Sequence, residues 1–475
     1  MSVTASLVGV ALLAQAVAAP PPSPLSLRAA MAEALTASPT LGASADDRTM
    51  AGIRERVAAA GLSTTIAPVL QTGTNAGGLS ERSIGLDLSK RFSTGTRVVA
   101  NVSGQEIGSG LAPYRDAGYT VGLSQPLLGG FGGIFKAPLV QARRDVVTSE
   151  RALADARLDL IVNVAAAYLD VIQAQRLVGV ASRSMDQART LRASAAARVS
   201  VGLATELDVS RADWMASQAE ATWLAERDAE ADATDRLSRL LGRSSGAPLQ
   251  LESADLTSPA LMLAAFEPPP LSNDQVARSA ELVSLAIANR PDLRESRDRI
   301  ADAERAQRIA RWDLLPQVSL DVSYLHRGVG NWSSPLMWAG ANGWRVGLST
   351  DYSFNRASAN AGVAETSVAV RAAERAARDH EGRIADEVRR ADRNWTRSAA
   401  TIEIQTKAVA LGERQLRLAQ LRYERGIAGN FDVIDAESNL YQAQTALVSA
   451  QGAHALAGLT LRRVTGTLSP EEILR

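Results

Sequence analysis

The chain has 475 residues, 51 Lys and Arg against 51 Asp and Glu, three His and no Cys. A zero formal charge argues against a nucleic-acid binder, which needs a cationic surplus to meet phosphates. The absence of Cys excludes disulfides, thiolate zinc sites, iron–sulfur clusters and thiol nucleophiles. Aromatic residues are only 4%, sparse for a packed globular core, while helix-favouring Ala and Arg are abundant.

Met1 to Ala19 carries no charge, and Leu7 to Ala14 is an apolar run. Ala16-Val17-Ala18 fits the small-x-small rule for signal cleavage, so a leader over 1–18 is expected. The first basic residue is Arg28, so the usual positive n-region is missing. No other stretch reaches the ~18 uninterrupted apolar residues of a membrane helix. Leu160–Ile172 comes closest but contains Asn163 and Asp170. An exported chain without such a helix is periplasmic, extracellular or a β-barrel.

Proline placement divides the rest of the chain. None of the 18 prolines falls between Leu139 and Ala247, or between Leu336 and Ser469. Proline costs ~3 kcal/mol inside a helix, so these tracts are where long helices are permitted. Ile161, Val164, Tyr168, Val171, Gln175 and Val178 alternate spacings of three and four. Leu440, Leu447, His454 and Leu461 recur every seven. Such seams predict coiled-coil-like packing. A helix over Ala137–Ser200 would be about 95 Å long, a rod or tube rather than a compact core.

Elsewhere the period changes to two. Ile84, Leu86 and Leu88 alternate with Gly85, Asp87 and Ser89, and Val121 and Leu123 with Gly122 and Ser124. Later, Val318, Leu320, Val322 and Tyr324 alternate with polar neighbours, as do Val346, Leu348, Tyr352 and Phe354. One apolar and one polar face on ~10-residue strands fits a membrane β-barrel with a wet lumen; a soluble sandwich is the alternative. Phe92–Phe135 and Trp312–Phe354 hold twelve of the twenty aromatic residues, which favours the barrel. Trp332, Trp338, Trp344, Tyr352 and Phe354 are candidates for an interfacial girdle. Thr94-Gly95 reads as a hairpin turn.

The chain also repeats. The segment around Pro39 resembles that around Pro291, and Pro68 corresponds to Pro316. Gly202-Leu-Ala-Thr-Glu-Leu-Asp208-Val209 corresponds to Gly426-Ile-Ala-Gly-Asn-Phe-Asp432-Val433. Two repeats are expected, over 25–242 (strands near 65–127, long helices 137–242) and 274–468 (strands near 317–354, long helices 357–466). A linker over 243–273 joins them. The offset drops across the strands, so the first half carries an insertion there. Gly202 and Gly426 would free the backbone for helix reversal, with Asp208 and Asp432 in the first turns of the returning helices, where negative charge suits the dipole. Asp432 and Asp435, three apart, share a helical face.

These elements resemble the TolC family of outer-membrane efflux proteins over about residues 25–468. Val201-Gly202-Leu203-Ala204-Thr205 with Asp208-Val209 looks like the family's first periplasmic tip. Tyr423-Glu-Arg-Gly426 with Phe431-Asp432-Val433-Ile434-Asp435-Ala436 looks like its second. The resemblance implies a mainly α chain with a membrane β-barrel. Three chains would form a hollow periplasmic α-barrel and a shared twelve-stranded barrel, four strands from each. The insertion around Ser83–Gly104 departs from the minimal pattern and leaves the first half's strand count open. The implied function is a passive exit duct for small molecules, coupled through a periplasmic adaptor to an inner-membrane pump. Type I secretion of a polypeptide is an alternative, and a non-conducting coiled-coil scaffold is a third. The resemblance places the gate at Asp432 and Asp435. It puts latch positions at Asp208 and Tyr423, with Arg425 substituting for a basic residue replaced by Ala428. It places adaptor docking at Val201, Gly202, Leu203, Thr205 and Gly426.

No chemistry is expected. Gly129-Gly130-Phe131-Gly132-Gly133 lacks the Lys of a P-loop, and His380-Glu381 lacks the second His of a zincin. His454 is expected in packing and His326 in solvent. Arg143–Arg144 and Arg389–Arg390 are expected on exposed helix faces. No cofactor is implied.

Overall fold

The computed structural model describes residues 24–74, 79–108, 113–128, 134–244, 246, 249–252, 275–329, 340–352 and 354–471. The expected leader, Gly129–Gly133, Trp332, Trp338 and most of the expected linker lie outside them.

Two short helices lead in, α1 (Leu27–Ala37) and α2 (Pro39–Ala60). Four strands follow: β1 (Thr64–Thr74), β2 (Ser80–Arg91), β3 (Arg97–Ile107) and β4 (Tyr114–Leu128). A short 3-10 turn at Ile134–Lys136 opens into α3 (Ala137–Ser200), which reverses into α4 (Glu206–Leu240). The second half runs α5 (Gln275–Asn289), α6 (Pro291–Trp312), β5 (Gln317–Val329), β6 (Ala341–Asp351), α7 (Ala357–Glu424) and α8 (Asn430–Val464). Pro39 and Pro291 occupy the first turns of α2 and α6, where the missing N–H costs nothing. Among the described residues no helix is long and apolar enough to cross a membrane.

The strands form one antiparallel sheet in the order β1-β2-β3-β4-β5-β6. The described residues therefore supply six strands, not the four the family resemblance implied. The insertion is the cause. It forms a hairpin, β2–β3, in which Phe92 N–H donates to Thr96 O at 2.8 Å and Gly95 takes φ of +90°. β2 pairs with β1 and β3 with β4, so β1 and β4 are separated by two full strands.

One row of partners, Ile66–Leu88–Ala100–Val121–Tyr324–Trp344, crosses all six strands on one face. Ile66, Leu70, Ile84, Leu86, Val102, Val121, Trp344, Val346 and Leu348 stand exposed on that face. So extensive an exposed apolar surface suits hydrocarbon, not water. The opposite face is polar. Asn101 donates to Asp87, Gln105 Nε2 to Asp116 Oδ2 at 3.1 Å, and Ser349 Oγ to Asp321 Oδ2 at 2.5 Å. His326, expected in solvent, is buried: it sits mid-sheet opposite Tyr119, with ring centroids 5.2 Å apart.

The helices bury three apolar clusters. One joins α1, α3, α4 and α8 around Met31, Ile161, Tyr168, Leu237 and Leu459, and the Tyr168 hydroxyl donates to Leu25 O at 2.8 Å. A second joins α5, α6, α7 and α8 around Leu282, Leu293, Ile384 and Leu461. The third lies at the far end of the long helices, around Ala188, Ala195, Ala212, Ala419, Tyr423 and Ala436. Its alanines let helix backbones approach closely with little side-chain entropy to lose. His454 packs as expected, its ring 6.0 Å from Trp395 and its Nδ1 2.9 Å from Ser398 Oγ.

Ion pairs tie the elements above the helical shafts. Arg151 meets Glu295 and Asp298 at 3.2 and 2.6 Å. Arg144 meets Asp298 at 2.8 Å and is mostly shielded from solvent, against the expectation of an exposed pair with Arg143. A helix-face reading places a residue relative to its own helix only; α6 covers this part of α3. Arg143, Arg389 and Arg390 are exposed as expected.

Candidate functional site: the paired helical tips

Each pair of long helices is joined by a five-residue reversal, 201–205 and 425–429. At the first, Gly202 takes φ of +76°, and Leu203 N–H donates back to Arg198 O at 2.9 Å. At the second, Gly426 takes φ of +70°, and Ile427 N–H donates to Arg422 O at 2.9 Å. Both are helix C-terminal caps closed by a left-handed residue, a conformation glycine adopts without Cβ strain.

The returning helices start differently. Thr205 caps α4, and Asp208 Oδ2 accepts from the Thr205 N–H at 3.0 Å and its Oγ1 at 2.8 Å. These bonds, backbone first, hold the Asp208 carboxyl below the usual carboxylate range against an opposing effect of burial. The sequence places Asp208 at a latch position; within the chain its carboxylate closes a capping box. Helix α8 has Gly429 at its cap and no side-chain bond there. Its first residue, Asn430, is fully buried and donates from Nδ2 to the Asp208 backbone oxygen at 2.6 Å. Asn430 thus ties the two tips.

Arg198 makes a second tie. It donates to Glu424 O at 3.2 Å and lies 4.2 Å over the Tyr423 ring. Tyr423 is buried and its hydroxyl has no partner among the described residues. Arg425 is exposed at the end of α7 and forms no ion pair among the described residues. Beneath Tyr423 lies a cavity of about 400 Å³, lined by residues including Asp186, Gln187, Thr190, Ser194 and Glu437. Glu437 is only 4% exposed, and burial pushes its carboxyl up to about 7. With its amide nitrogen toward Glu437, Gln187 donates to both carboxylate oxygens at 2.7 and 3.1 Å.

Asp432 and Asp435 are both exposed on α8, opposite the buried Val433, Ala436 and Leu440, and Asp435 accepts from Asn439 Nδ2 at 3.1 Å. Val201 and Leu203 are 67% and 75% exposed, and Thr205, Gly202 and Gly426 are exposed beside them. Leu207, Ile427 and Phe431 extend this apolar rim. The sequence motifs included Phe431 in the second tip but gave none of these three a docking role, and they gave no role to Asn430, Arg198 or Glu437. An apolar residue at the rim carries a local signal; the inter-tip ties have none, because their partners lie over 220 residues away. Among the described residues no group of three or more His, Asp or Glu is placed to hold a metal ion.

The sequence model of outer membrane efflux proteins matches residues 30–243 and 282–467, in two segments that each end in a helical hairpin. The chain belongs to the outer membrane efflux protein family.

This efflux protein is 26% identical over 391 residues to the probable efflux pump outer membrane protein TtgC of Pseudomonas putida, a span covering 78% of this chain and 72% of that one. Its fold matches the solved structure of CusC with a TM-score of 0.72 at 17% identity, covering 93% of this chain and 92% of that one. It matches the MtrE outer membrane channel of Neisseria gonorrhoeae with a TM-score of 0.68 at 20% identity, covering 93% and 88%. The fold is TolC-like, and the chain is an outer-membrane efflux channel whose helices extend into the periplasm. Members of the family are channels rather than enzymes.

Proposed function

We propose that three copies assemble into a passive exit duct. It would carry small molecules from an inner-membrane pump to the exterior through a periplasmic adaptor, and catalyse no reaction itself. The chain would work as two repeats, 25–242 and 274–468, joined through 243–273, after loss of a leader over 1–18. One observation supports this reading above others: a sheet with a lipid-compatible face sits at one end of helices of 64 and 68 residues, and two mutually tied tips sit at the other. A scaffold needs no such sheet. Channel formation is tested by planar-bilayer conductance of the purified trimer; a trimer that passes no ions rejects the duct.

In this reading Asp432 and Asp435 are the gate. Three-fold symmetry turns two exposed carboxylates into six around an axis, which favours cations and attracts multivalent ones. Changing both to Ala should shift the reversal potential in a salt gradient toward weaker cation selectivity. It should also relieve block by divalent cations several-fold. Unchanged values would place these side chains away from the axis. Arg425, exposed and without an ion pair among the described residues, is the latch member available to meet a carboxylate of the neighbouring copy. Asp208 and Tyr423 act in the latch through their tip contacts.

Val201, Gly202, Leu203, Thr205 and Gly426 form the adaptor-docking rim. Exposed apolar side chains at a tip mark a partner surface. Leu203→Asp removes one of the most exposed of them at little cost to the fold. The variant should form a normal membrane trimer and lose most efflux-dependent resistance. Full resistance with normal trimer would remove Leu203 from the docking surface.

A further inference from the structure

The β2–β3 hairpin lies outside the pattern that the family resemblance supplied, and it is built as barrel wall. Its strands of 12 and 11 residues match β1, β5 and β6 at 11 to 13. That length spans a tilted outer-membrane strand. β3 bonds β4 over eleven partner pairs, Arg97↔Ser124 to Ile107↔Tyr114, so the hairpin is inserted between β1 and β4 rather than folded over them. Its side chains keep the faces of the sheet. Ile84, Leu86, Leu88, Val98, Ala100 and Val102 continue the apolar face, while Asp87, Ser89, Asn101, Ser103 and Gln105 continue the polar one. An extramembrane flap would not need this two-sided alternation.

The turn is at the appropriate end. Thr96 bonds Gln125 near the end of β4, and a Cβ at Gly95 would run into the Phe135 ring just before α3. The tight turn therefore faces the periplasmic helices, where outer-membrane barrels keep their short connections. Among the described residues the sheet is left open at β1 and β6, whose strand partners are β2 and β5. Open edges in a hydrocarbon layer must be paired, because backbone groups cannot remain unsatisfied there.

We propose that three chains close an eighteen-stranded barrel, β6 of each on β1 of the next, and that the β2–β3 hairpin sets a wide exit for bulky solutes. This rests on the trimeric duct reading above. At ~4.8 Å between strands tilted ~40°, eighteen strands enclose a backbone diameter of about 36 Å, against about 24 Å for twelve. Side chains of ~5 Å on each wall leave lumens of about 26 and 14 Å. The outer end of this duct would then admit solutes of roughly 20 Å cross-section, which a twelve-stranded wall excludes.

The chain has no Cys, so single cysteines report without background. Ser103→Cys is on the polar face of β3 and Val102→Cys is its neighbour on the apolar face; both sites are exposed in the single chain. The trimer in lipid nanodiscs is treated with maleimide-polyethylene glycols of graded size, and its strands are counted by electron cryomicroscopy. Ser103→Cys should react with reagents about 20 Å across, Val102→Cys should resist all of them, and the map should show eighteen strands. A reagent cut-off near 14 Å with twelve strands overturns the wide barrel and leaves the duct intact. Equal labelling at both positions puts the hairpin outside the wall, with the same result. A chain that makes no membrane trimer removes the duct and the wide barrel together.

Discussion

Replacing Arg290 by Ala should cost about 2–4 kcal/mol of stability where α6, α7 and α8 meet. Arg290 precedes the first turn of α6 and its side chain is 12% exposed. It donates to Asp292 from Nε and Nη2 at 3.1 and 2.7 Å, to Glu387 from Nη1 at 2.7 Å, and to Val464 O at 3.3 Å. A fork of this kind fixes three helices with one planar group. Asp292 and Glu387 keep 33% and 49% side-chain exposure, so water screens part of the charge left behind. That is why the expected loss is below that of a fully buried pair. The loss should depend on pH. Burial pushes the Asp292 carboxyl up, but the Arg290 hydrogen bonds and charge, with His380, outweigh it and hold it below the usual carboxylate range. A depressed carboxyl stabilises the fold above its unfolded pKa and loses that contribution as pH falls through the folded one. Hydrogen exchange in α5 and α6 should show the wild-type advantage at pH 7 and a smaller one near pH 3. A loss equal at both pH values would assign Arg290 to packing rather than to charge.

Glu437→Gln should stabilise the tips at neutral and alkaline pH and leave them unchanged in acid. Glu437 lies against Gln187, with Asp186, Glu424 and Tyr423 lining the same cavity. Burial raises its carboxyl from 4.5 to about 7. The folded state therefore holds the proton more tightly than the unfolded one. The cost of ionising Glu437 begins above about pH 4.5, grows until about pH 7 and is constant beyond it. A shift of that size corresponds to roughly 3 kcal/mol, and the Gln187 amide, which favours the carboxylate, brings the expected gain to about 2. Glutamine keeps the shape without the charge. Exchange protection of α3 and α8 near the tip should be equal in the two proteins at pH 4 and higher in the variant at pH 8. No difference at pH 8 would mean that Gln187 fully compensates the buried charge.

The same residue shows where sequence reading stops. The spacing of Asp432 and Asp435 already put them on one face of α8, and both are exposed there. Glu437, two residues on, carries nothing in its local pattern to mark it as buried. Its environment is made by Gln187 on α3, 250 residues earlier in the chain.

Local rules determined much of the rest. Proline exclusion and seams of three and four gave long helices because backbone hydrogen bonds within a helix close over four residues. Gly202 and Gly426 marked the reversals because only a residue without Cβ takes positive φ freely; both do so here. Strand faces followed from alternation, since successive side chains point to opposite sides. The Thr94-Gly95 turn was readable for the same local reason.

Which strands pair was not local. Alternation in Ile84–Leu88 and Val98–Val102 is the same whether the hairpin is wall or flap, and only its ladders to β1 and β4 place it within the sheet. His326 is buried because Tyr119 comes from another half of the chain. Asp208 spends its carboxylate on Thr205, a local cap, whereas its backbone oxygen holds Asn430 across 222 residues. The sequence by itself determined helices, turns and faces, whose hydrogen bonds and periodicities close within a few residues. The tertiary structure decided strand number, tip pairing and burial, because each depends on groups brought together only after the chain has folded.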